Sequence, residues 1–202
     1  MPLTYLFDPL CGWCYGAAPA LRDLIAAGKT VALAPSGRFC APGRTMEPGF
    51  PAYIWSADQR VAALTGQEYS EAYRKNVLGH PNPPLDATAA TLALTAVWQN
   101  DPAREAEALA AIQRARWVGG LDICDAAIVS DILAGIGLPD AAVRARTPGE
   151  ALVAATNQRV AAAQVLMARH RLNGVPALLA DGRALPNGLL YGARTALLAA
   201  VA

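Results

Sequence analysis

The sequence predicts an α/β fold that carries a long all-helical insertion. Residues 3–34 follow a strand–helix–strand pattern, residues 51–146 contain helix patterns without a strand pattern, and the chain ends with a strand–strand–helix pattern. Because α/β segments flank a helical block, we expect residues 1–50 and 147–202 to form one discontinuous domain. Residues 51–146 are expected to form the inserted helical domain.

The N-terminal unit begins with Leu3–Phe7, a short run of aliphatic and aromatic residues. Such a run predicts a buried strand. Pro9 ends the strand, because proline has no N–H group to donate to a sheet. Ala17–Ala27 then predicts a helix that ends at Gly28, and Thr30–Ala34 predicts a second strand.

The middle of the chain is expected to be helical throughout. A loop rich in proline and glycine, residues 35–51, comes before it. The predicted helices are Ser56–Thr65, Ser70–Leu78, Ala87–Gln99, Ala103–Trp117 and Asp125–Leu133. Gly135, Gly137 and Pro139 are expected to end the last of these helices.

The last section predicts a long helix, a hairpin and a short terminal helix. Thr147–Glu150 matches a capping box, which predicts a helix that continues to about Arg171. Asp181-Gly182 is a hairpin turn signal between residues 175–180 and residues 183–186. Ala193–Val201 predicts the C-terminal helix.

Cys11 and Cys14 form a CxxC motif between the first strand and the first helix. This junction within a strand–helix–strand unit is the context in which CxxC is a redox motif. The start of a helix presents free N–H groups and the positive end of the helix dipole, which stabilise a thiolate. We therefore expect Cys11 to be the nucleophile and Cys14, one helical turn later, to resolve the mixed disulfide. Half of a zinc site and inert core thiols are the alternatives for such a pair.

The composition excludes several classes of function. The chain has 17 basic and 16 acidic residues in an even mixture, so we expect no nucleic-acid partner. It has no apolar run of membrane-spanning length and no secretion signal, so we expect no membrane partner and a cytoplasmic location.

We expect no metal and no tightly bound cofactor. Cys40 and Cys124 have no local partner and are expected to be core residues. The sequence is compatible with a monomer and with a homodimer.

Three blocks of residues resemble a known family. They are Phe7–Pro9, Cys11–Gly16 and Gly174–Ala177. They are similar to blocks in thioredoxin-fold proteins of the DsbA type with an inserted helical domain, and most similar to their cytoplasmic FrnE-like bacterial branch. The order of elements fits over essentially the whole chain, and the helical middle matches in layout only.

The resemblance implies roles for further residues. Pro176 would be the cis-proline of a thioredoxin-like fold, and the backbone of Val175 would pair with substrate beside the mixed disulfide. Trp13 and Phe39 are candidates for apolar contact with substrate, although packing would account for both equally well. Asp8 is a candidate proton acceptor for Cys14 through water, although capping of a turn is its simpler role.

The expected function is thiol–disulfide oxidoreductase or isomerase activity on protein or small-molecule disulfides, with glutathione as a candidate redox partner. The same superfamily contains kappa-class glutathione transferases and 2-hydroxychromene-2-carboxylate isomerases. These bind glutathione and typically have serine at the position of Cys11, so a glutathione-dependent transferase or isomerase is the first alternative. A binding module without disulfide turnover is the second. The Gly-Trp pair between the cysteines differs from the periplasmic members and leaves the direction of electron flow open.

Overall fold

The structure is a computed structural model that describes residues 2–202, and it contains one mixed four-stranded sheet. The strands are β1 (Leu3–Phe7), β2 (Val31–Pro35), β3 (Ala177–Ala180) and β4 (Arg183–Ala184). Their order in the sheet is β2-β1-β3-β4. β1 runs parallel to β2 and antiparallel to β3, and β4 pairs antiparallel with β3. The predicted α/β class is therefore confirmed.

The helices account for most of the remaining chain. They are α1 (Gly12–Gly16), α2 (Ala18–Ala26), α3 (Phe50–Thr65), α4 (Glu71–Tyr73), α5 (Thr88–Asn100), α6 (Glu105–Trp117), α7 (Ala126–Gly135), α8 (Pro139–Arg146), α9 (Glu150–Arg169) and α10 (Arg194–Ala200). A π-helical turn, Arg74–Leu78, continues α4. No helix within residues 2–202 is long and apolar enough to cross a membrane.

β1 is buried on both of its faces. Leu3, Tyr5 and Phe7 belong to the main core, whereas Leu6 packs with Ala177 on the opposite face of the sheet. A strand covered on both faces needs apolar residues at nearly every position rather than at alternate positions. For this reason four of the five residues in Leu3–Phe7 are apolar, and the exception, Thr4, is only half-buried.

α5 is the central helix of the middle section. Every side chain from Ala90 to Val97 is buried, so the helix is surrounded by neighbouring elements. The main core contains Phe7 of the sheet together with Leu94 of α5 and Ile112 of α6. The core is therefore continuous between the sheet and the helices of residues 51–146. The division into two domains stays a prediction.

The helix predicted at Asp125–Leu133 ends at Gly135, as expected, but Pro139 then begins a further helix, α8, that the sequence does not predict. Proline is tolerated there because the first helical position needs no N–H donor. The capping box predicted at Thr147–Glu150 is wrong. Thr147 does not cap α9: its amide and hydroxyl both donate to the Val143 carbonyl, at 3.3 and 3.4 Å. These bonds end α8, and Gly149 occupies the cap position of α9 without a side-chain hydrogen bond.

The hairpin between β3 and β4 has the turn that the sequence predicts. Asp181 and Gly182 have positive φ angles of 47° and 68°. Positive φ at both central residues is typical of the two-residue turn that matches the twist of paired strands. The hairpin connects β3 to the edge strand β4 and places the preceding loop, residues 174–176, at the end of β1.

Candidate active site

Cys11 lies at the N-terminus of α1, directly after the turn that ends β1. Its backbone is extended, with φ −85° and ψ 114°, and it occupies the cap position of the helix. The turn is held by Asp8, whose carbonyl accepts the Cys11 amide at 3.1 Å. Cys11 therefore faces the free N–H groups of the first helical turn, which favour negative charge.

The two thiols of the CxxC motif differ in their surroundings. Both are unpaired thiols; Cys11 is 8% exposed and Cys14 is 1% exposed. Burial raises the pKa of Cys14 well above its ordinary value, and a hydrogen bond with Cys11 adds to this effect. Cys14 is thus a protonated thiol that is almost completely shielded from solvent. The two thiols line different cavities: Cys11 borders one of about 280 Å³, and Cys14 borders one of about 460 Å³.

The loop before β3 lies against Cys11. The peptide bond between Val175 and Pro176 is cis, as the family resemblance implies for Pro176. The Cys11 thiol donates to the Val175 carbonyl, with a distance of 3.5 Å between sulfur and oxygen. The structure therefore brings together Cys11 and Val175, which are 164 residues apart in the chain.

A cavity of about 280 Å³ opens beside Cys11. Its walls include Trp13 and Phe39 from the thioredoxin-like part of the chain. Trp13 is 40% exposed, and its ring packs edge-to-face on Tyr191 with 5.4 Å between ring centroids. Phe39 is half-buried and packs on the main core. Both side chains proposed for apolar contact thus border the space next to the nucleophile.

Asp8 is completely buried and caps the turn on which Cys11 lies. One carboxylate oxygen accepts the Leu10 amide at 2.9 Å, and the other accepts the Phe39 amide at 3.0 Å. Burial raises the pKa of Asp8 to about 6, although these hydrogen bonds oppose the effect. The carboxyl group also lies close enough to Cys14 to act on its pKa. Asp8 therefore caps the turn, and its role as a proton acceptor for Cys14 stays a prediction.

Residues of the helical section complete the cavity, and the sequence alone does not identify them. They are Asp58 of α3, Tyr73 of α4, and Arg116 and Trp117 of α6. The Tyr73 hydroxyl donates to Asp58 Oδ2 at 2.9 Å, and burial raises the pKa of Asp58 to about 6. Each is a single polar or aromatic residue in a helix, without a local motif, so no sequence signal indicates them.

The position of Asp58 also explains why the residue after Cys11 is a glycine. A Cβ atom on Gly12 would lie 2.1 Å from Asp58 Oδ1, which is far inside van der Waals contact. The Gly12 carbonyl accepts the Tyr69 hydroxyl at 2.6 Å. The first residue of α1 is therefore enclosed by the helical section, and a larger side chain would displace the wall of the cavity.

The other two cysteines lie outside this arrangement. The Cys40 sulfur is 3.4 Å from the Thr91 hydroxyl, and burial raises its pKa to about 11. Burial raises the pKa of Cys124 to about 12. Both are half-buried, unpaired thiols that pack on the main core. Residues 2–202 contain no group of three or more His, Cys, Asp or Glu side chains that could hold a metal ion.

The geometry fits thiol–disulfide exchange. The Cys11 thiol borders a cavity, the Cys14 thiol follows three residues later in the same helix, and the Val175 carbonyl accepts a hydrogen bond from the first sulfur. A disulfide bound in the cavity can be attacked by the first thiol, and the second thiol can then release the product.

Comparisons with known proteins agree with this chemistry. No protein-family model matches the chain, and no curated protein sequence matches it. Among solved structures, the cytosolic disulfide reductase DsbM from Pseudomonas aeruginosa is 30% identical, with a TM-score of 0.86; the match covers 98% of this chain and 96% of DsbM. A structure of DsbM with glutathione is 31% identical over 98% of this chain and 96% of that chain, with a TM-score of 0.85.

Two further structures are more distant. A Nitrosomonas europaea protein, provisionally assigned as a protein disulfide isomerase, is 26% identical, with a TM-score of 0.75 over 98% of this chain and 95% of its own. A 2-hydroxychromene-2-carboxylate isomerase is 17% identical, with a TM-score of 0.68 over 99% of this chain and 96% of its own. At that identity the likeness to the isomerase concerns the fold alone.

Proposed function

Because this chain belongs to the DsbA-like family of thioredoxin-fold thiol–disulfide oxidoreductases, we propose that it works as a disulfide reductase, with Cys11 as the attacking thiol and Cys14 as the resolving thiol. The observation that carries the proposal is the position of Cys11, which begins a helix, borders a cavity and contacts the Val175 carbonyl, while Cys14 is only 1% exposed. Val175 is proposed to position the substrate through its backbone, and Pro176 to hold that loop against the dithiol.

The proposed reaction transfers two electrons to the substrate disulfide. The Cys11 thiolate attacks one sulfur of the substrate, the substrate S–S bond breaks, and the leaving thiolate takes up a proton. The product is a mixed disulfide between Cys11 and the other half of the substrate. Cys14 then gives up its proton and attacks the Cys11 sulfur, which forms the Cys11–Cys14 disulfide and releases the second substrate thiol.

Asp8 is proposed to assist the second step. Cys14 must lose a proton in a place from which water is largely excluded, and burial opposes that loss. Asp8 is a buried carboxyl group near Cys14 with a pKa of about 6, so it is ionised at neutral pH and able to accept a proton. Trp13 and Phe39 are proposed to contact the apolar part of the substrate from the walls of the cavity.

Glutathione is the proposed source of electrons. One glutathione thiolate would attack Cys11 in the Cys11–Cys14 disulfide, and a second would release oxidised glutathione and restore the dithiol. DsbM, to which this chain is similar, has a structure with glutathione and is described as a cytosolic reductase. We extend both points to this chain as part of the proposal, so that it would act in the cytoplasm on protein or small-molecule disulfides.

The glutathione-dependent isomerase or transferase remains the alternative function. Its representative among the solved structures is similar in fold alone. Cys14 argues against it, because a buried thiol one turn after Cys11 has a role in dithiol exchange and none in chemistry performed by the glutathione thiol.

The reduction potential of the Cys11–Cys14 couple tests the proposed direction. The protein is equilibrated in glutathione redox buffers, and the dithiol fraction is measured after acid quenching and alkylation. A reductase should give a potential near the values of glutaredoxins and thioredoxin, about −200 to −270 mV. A value near about −120 mV, as in DsbA, would mean that the protein oxidises its substrates and would contradict the proposal.

A further inference from the structure

Arg116 is a buried cation without a complete set of partners in the described structure. It lies in the last turn of α6 and is 2% exposed. Its Nε and Nη1 atoms have no hydrogen-bond acceptor within residues 2–202. Burial of a charged group is costly unless it is paired and hydrogen-bonded. A buried guanidinium without acceptors is therefore expected to bind an anion that the chain itself does not supply.

Two aromatic rings hold the guanidinium in place. Its central carbon lies 5.4 Å from the centroid of the Tyr73 ring and 5.8 Å from that of Trp117. Contacts with the faces of aromatic rings stabilise a cation without using its N–H donors. The guanidinium of Arg116 is consequently held in position, and its buried Nε and Nη1 donors are left without acceptors.

Asp58 forms no close ion pair with Arg116. Burial raises the pKa of Asp58 and the positive charge of Arg116 opposes this effect, but no pair within 4.0 Å joins the two side chains in the described part of the chain. Asp58 instead accepts the Tyr73 hydroxyl at 2.9 Å and lies against Gly12. Arg116 therefore has a carboxylate in its surroundings but no direct hydrogen bond to it.

Arg116 and Cys11 border the same cavity. The volume of about 280 Å³ is close to the lower limit for small-ligand pockets, roughly 300 Å³. The charged residues in its walls are Arg38, Asp58 and Arg116, so positive charge exceeds negative charge by one. A small molecule that reacts with Cys11 therefore meets a space with a fixed cation in its wall.

We propose that Arg116 binds a carboxylate of the small thiol or disulfide that reacts at Cys11, so that the cavity selects acidic compounds of about tripeptide size. This inference rests on the proposed function of Cys11. An arginine fork matches the two oxygens of a carboxylate, and such charge-assisted pairs are among the strongest polar contacts in proteins. The anchored carboxylate would orient the disulfide across the cavity, with its sulfur atoms toward Cys11.

The test compares two disulfides in a single turnover of the pre-reduced protein. Oxidised glutathione is one substrate, and its ester with every carboxylate blocked is the other. The measured quantity is the second-order rate constant for loss of protein thiols. The unmodified protein should react about 10- to 100-fold faster with oxidised glutathione than with the ester, the range expected for a charge-assisted hydrogen bond. In Arg116→Gln this ratio should fall to within about threefold of one, and Arg116→Lys, which keeps the charge and loses the fork, should lie between.

Arg114→Gln is the matched control, because Arg114 lies on the same helix and is exposed. It should keep the ratio of the unmodified protein. A ratio near one in the unmodified protein, or an unchanged ratio in Arg116→Gln, would overturn the assignment of Arg116. If the unmodified protein reacted with neither disulfide, the proposed function of Cys11 would itself fail. A ratio near one in the unmodified protein would overturn the proposal even if Arg116→Gln does not fold, because that measurement needs no variant.

Discussion

At the scale of single residues, burial controls ionisation behind the nucleophile. Cys14 and Asp8 are 1% and 0% exposed, and burial raises the pKa of each. A protonated Cys14 does not compete with Cys11 for the substrate. In the proposed mechanism Cys14 becomes reactive when it passes its proton to a neighbouring acceptor, and we propose Asp8 for that role.

The raised pKa of Asp8 predicts how stability depends on pH. Its pKa is about 6 in the folded chain and 3.8 ordinarily, so the folded state holds the proton more tightly than the unfolded state. The stabilisation is fully present below about pH 4 and is lost as pH rises through about 6, with a total of about 3 kcal/mol. Denaturant unfolding should show that the free energy of unfolding of the unmodified protein, relative to Asp8→Asn, falls by about that amount between pH 4 and pH 7.

The same measurement on Asp131→Asn is the control, because the Asp131 side chain is 77% exposed. A difference between the unmodified protein and Asp8→Asn that stayed constant over this pH range would show that burial does not perturb Asp8. It would also remove the argument that Asp8 is a suitable proton acceptor for Cys14.

At the scale of elements, two glycines of α1 let the active-site helix lie close to α3. A Cβ atom on Gly16 would be 2.3 Å from Val61 Cγ1, and Val61 is 0% exposed. A Cβ atom on Gly12 would likewise lie too close to α3, at 2.1 Å from Asp58 Oδ1. The helix that carries the dithiol is thereby joined to the helical section, and the wall of the cavity is positioned relative to Cys11.

Gly16→Ala should destabilise the protein by about 1–3 kcal/mol. The added methyl group would be forced into a filled space, and this overpacking outweighs the gain of less than about 1 kcal/mol from better helix propensity. Gly135→Ala is the matched control, because Gly135 ends α7 and a Cβ atom there meets nothing within 4 Å. Thermal or denaturant unfolding of both variants decides the point, and equal stability of the two would refute close packing of α1 on α3.

Individual elements are predictable where one local signal dominates. The bounds of β1 agree with the predicted strand Leu3–Phe7, because a five-residue, largely apolar run that stops just before Asp-Pro favours a buried strand over a helix. α8 is not predicted, because proline both ends helices and begins them, and the sequence around Pro139 is compatible with either outcome. The capping box at Thr147 fails for a similar reason: threonine can bond backward to a finished helix as well as forward to a new one.

At the scale of the whole molecule, one buried ion pair joins the two parts of the chain. Arg159 of α9 donates to Glu105 of α6 at 2.6 Å and to the Leu33 carbonyl of β2 at 2.9 Å. It also donates to the Thr95 hydroxyl of α5 at 3.3 Å, and its guanidinium lies 4.7 Å from the Trp98 ring centroid. A single side chain thus connects the sheet, the long helix and two helices of the middle section, α5 and α6.

Arg159→Ala should cost about 3 kcal/mol or more in the free energy of unfolding. Glu105, with 3% of its side chain exposed, would be left buried without its partner. Arg146→Ala provides the comparison, because Arg146 pairs with Asp131 on the surface, where such pairs contribute about 0–1 kcal/mol. If denaturant unfolding gave similar losses for both variants, the buried pair would not be what holds the two parts together.

The active site is predictable only in part, because it draws on both parts of the chain. Cys11 and Cys14 lie in a local motif, and the family resemblance points to Val175. Asp58 and Arg116 come from separate helices of the insertion and meet near Gly12 through tertiary packing alone. Neither has neighbours in sequence that distinguish it from a solvated helical residue, so only the folded chain reveals them.

The most direct test of the dithiol mechanism is covalent trapping. Pre-reduced Cys14→Ser is mixed with excess insulin in the absence of glutathione, and products are followed by intact-mass spectrometry and by insulin reduction. Attack by Cys11 should produce a mixed disulfide that nothing resolves, so the adduct should accumulate to about one per protein and no fully reduced insulin should be released. The unmodified protein should instead reduce about one insulin disulfide per dithiol and keep no adduct. Cys11→Ser, the matched control, should form no adduct, because Cys14 is buried. Absence of an adduct in Cys14→Ser, or an adduct in Cys11→Ser, would contradict the assignment of Cys11 as nucleophile and Cys14 as resolving thiol.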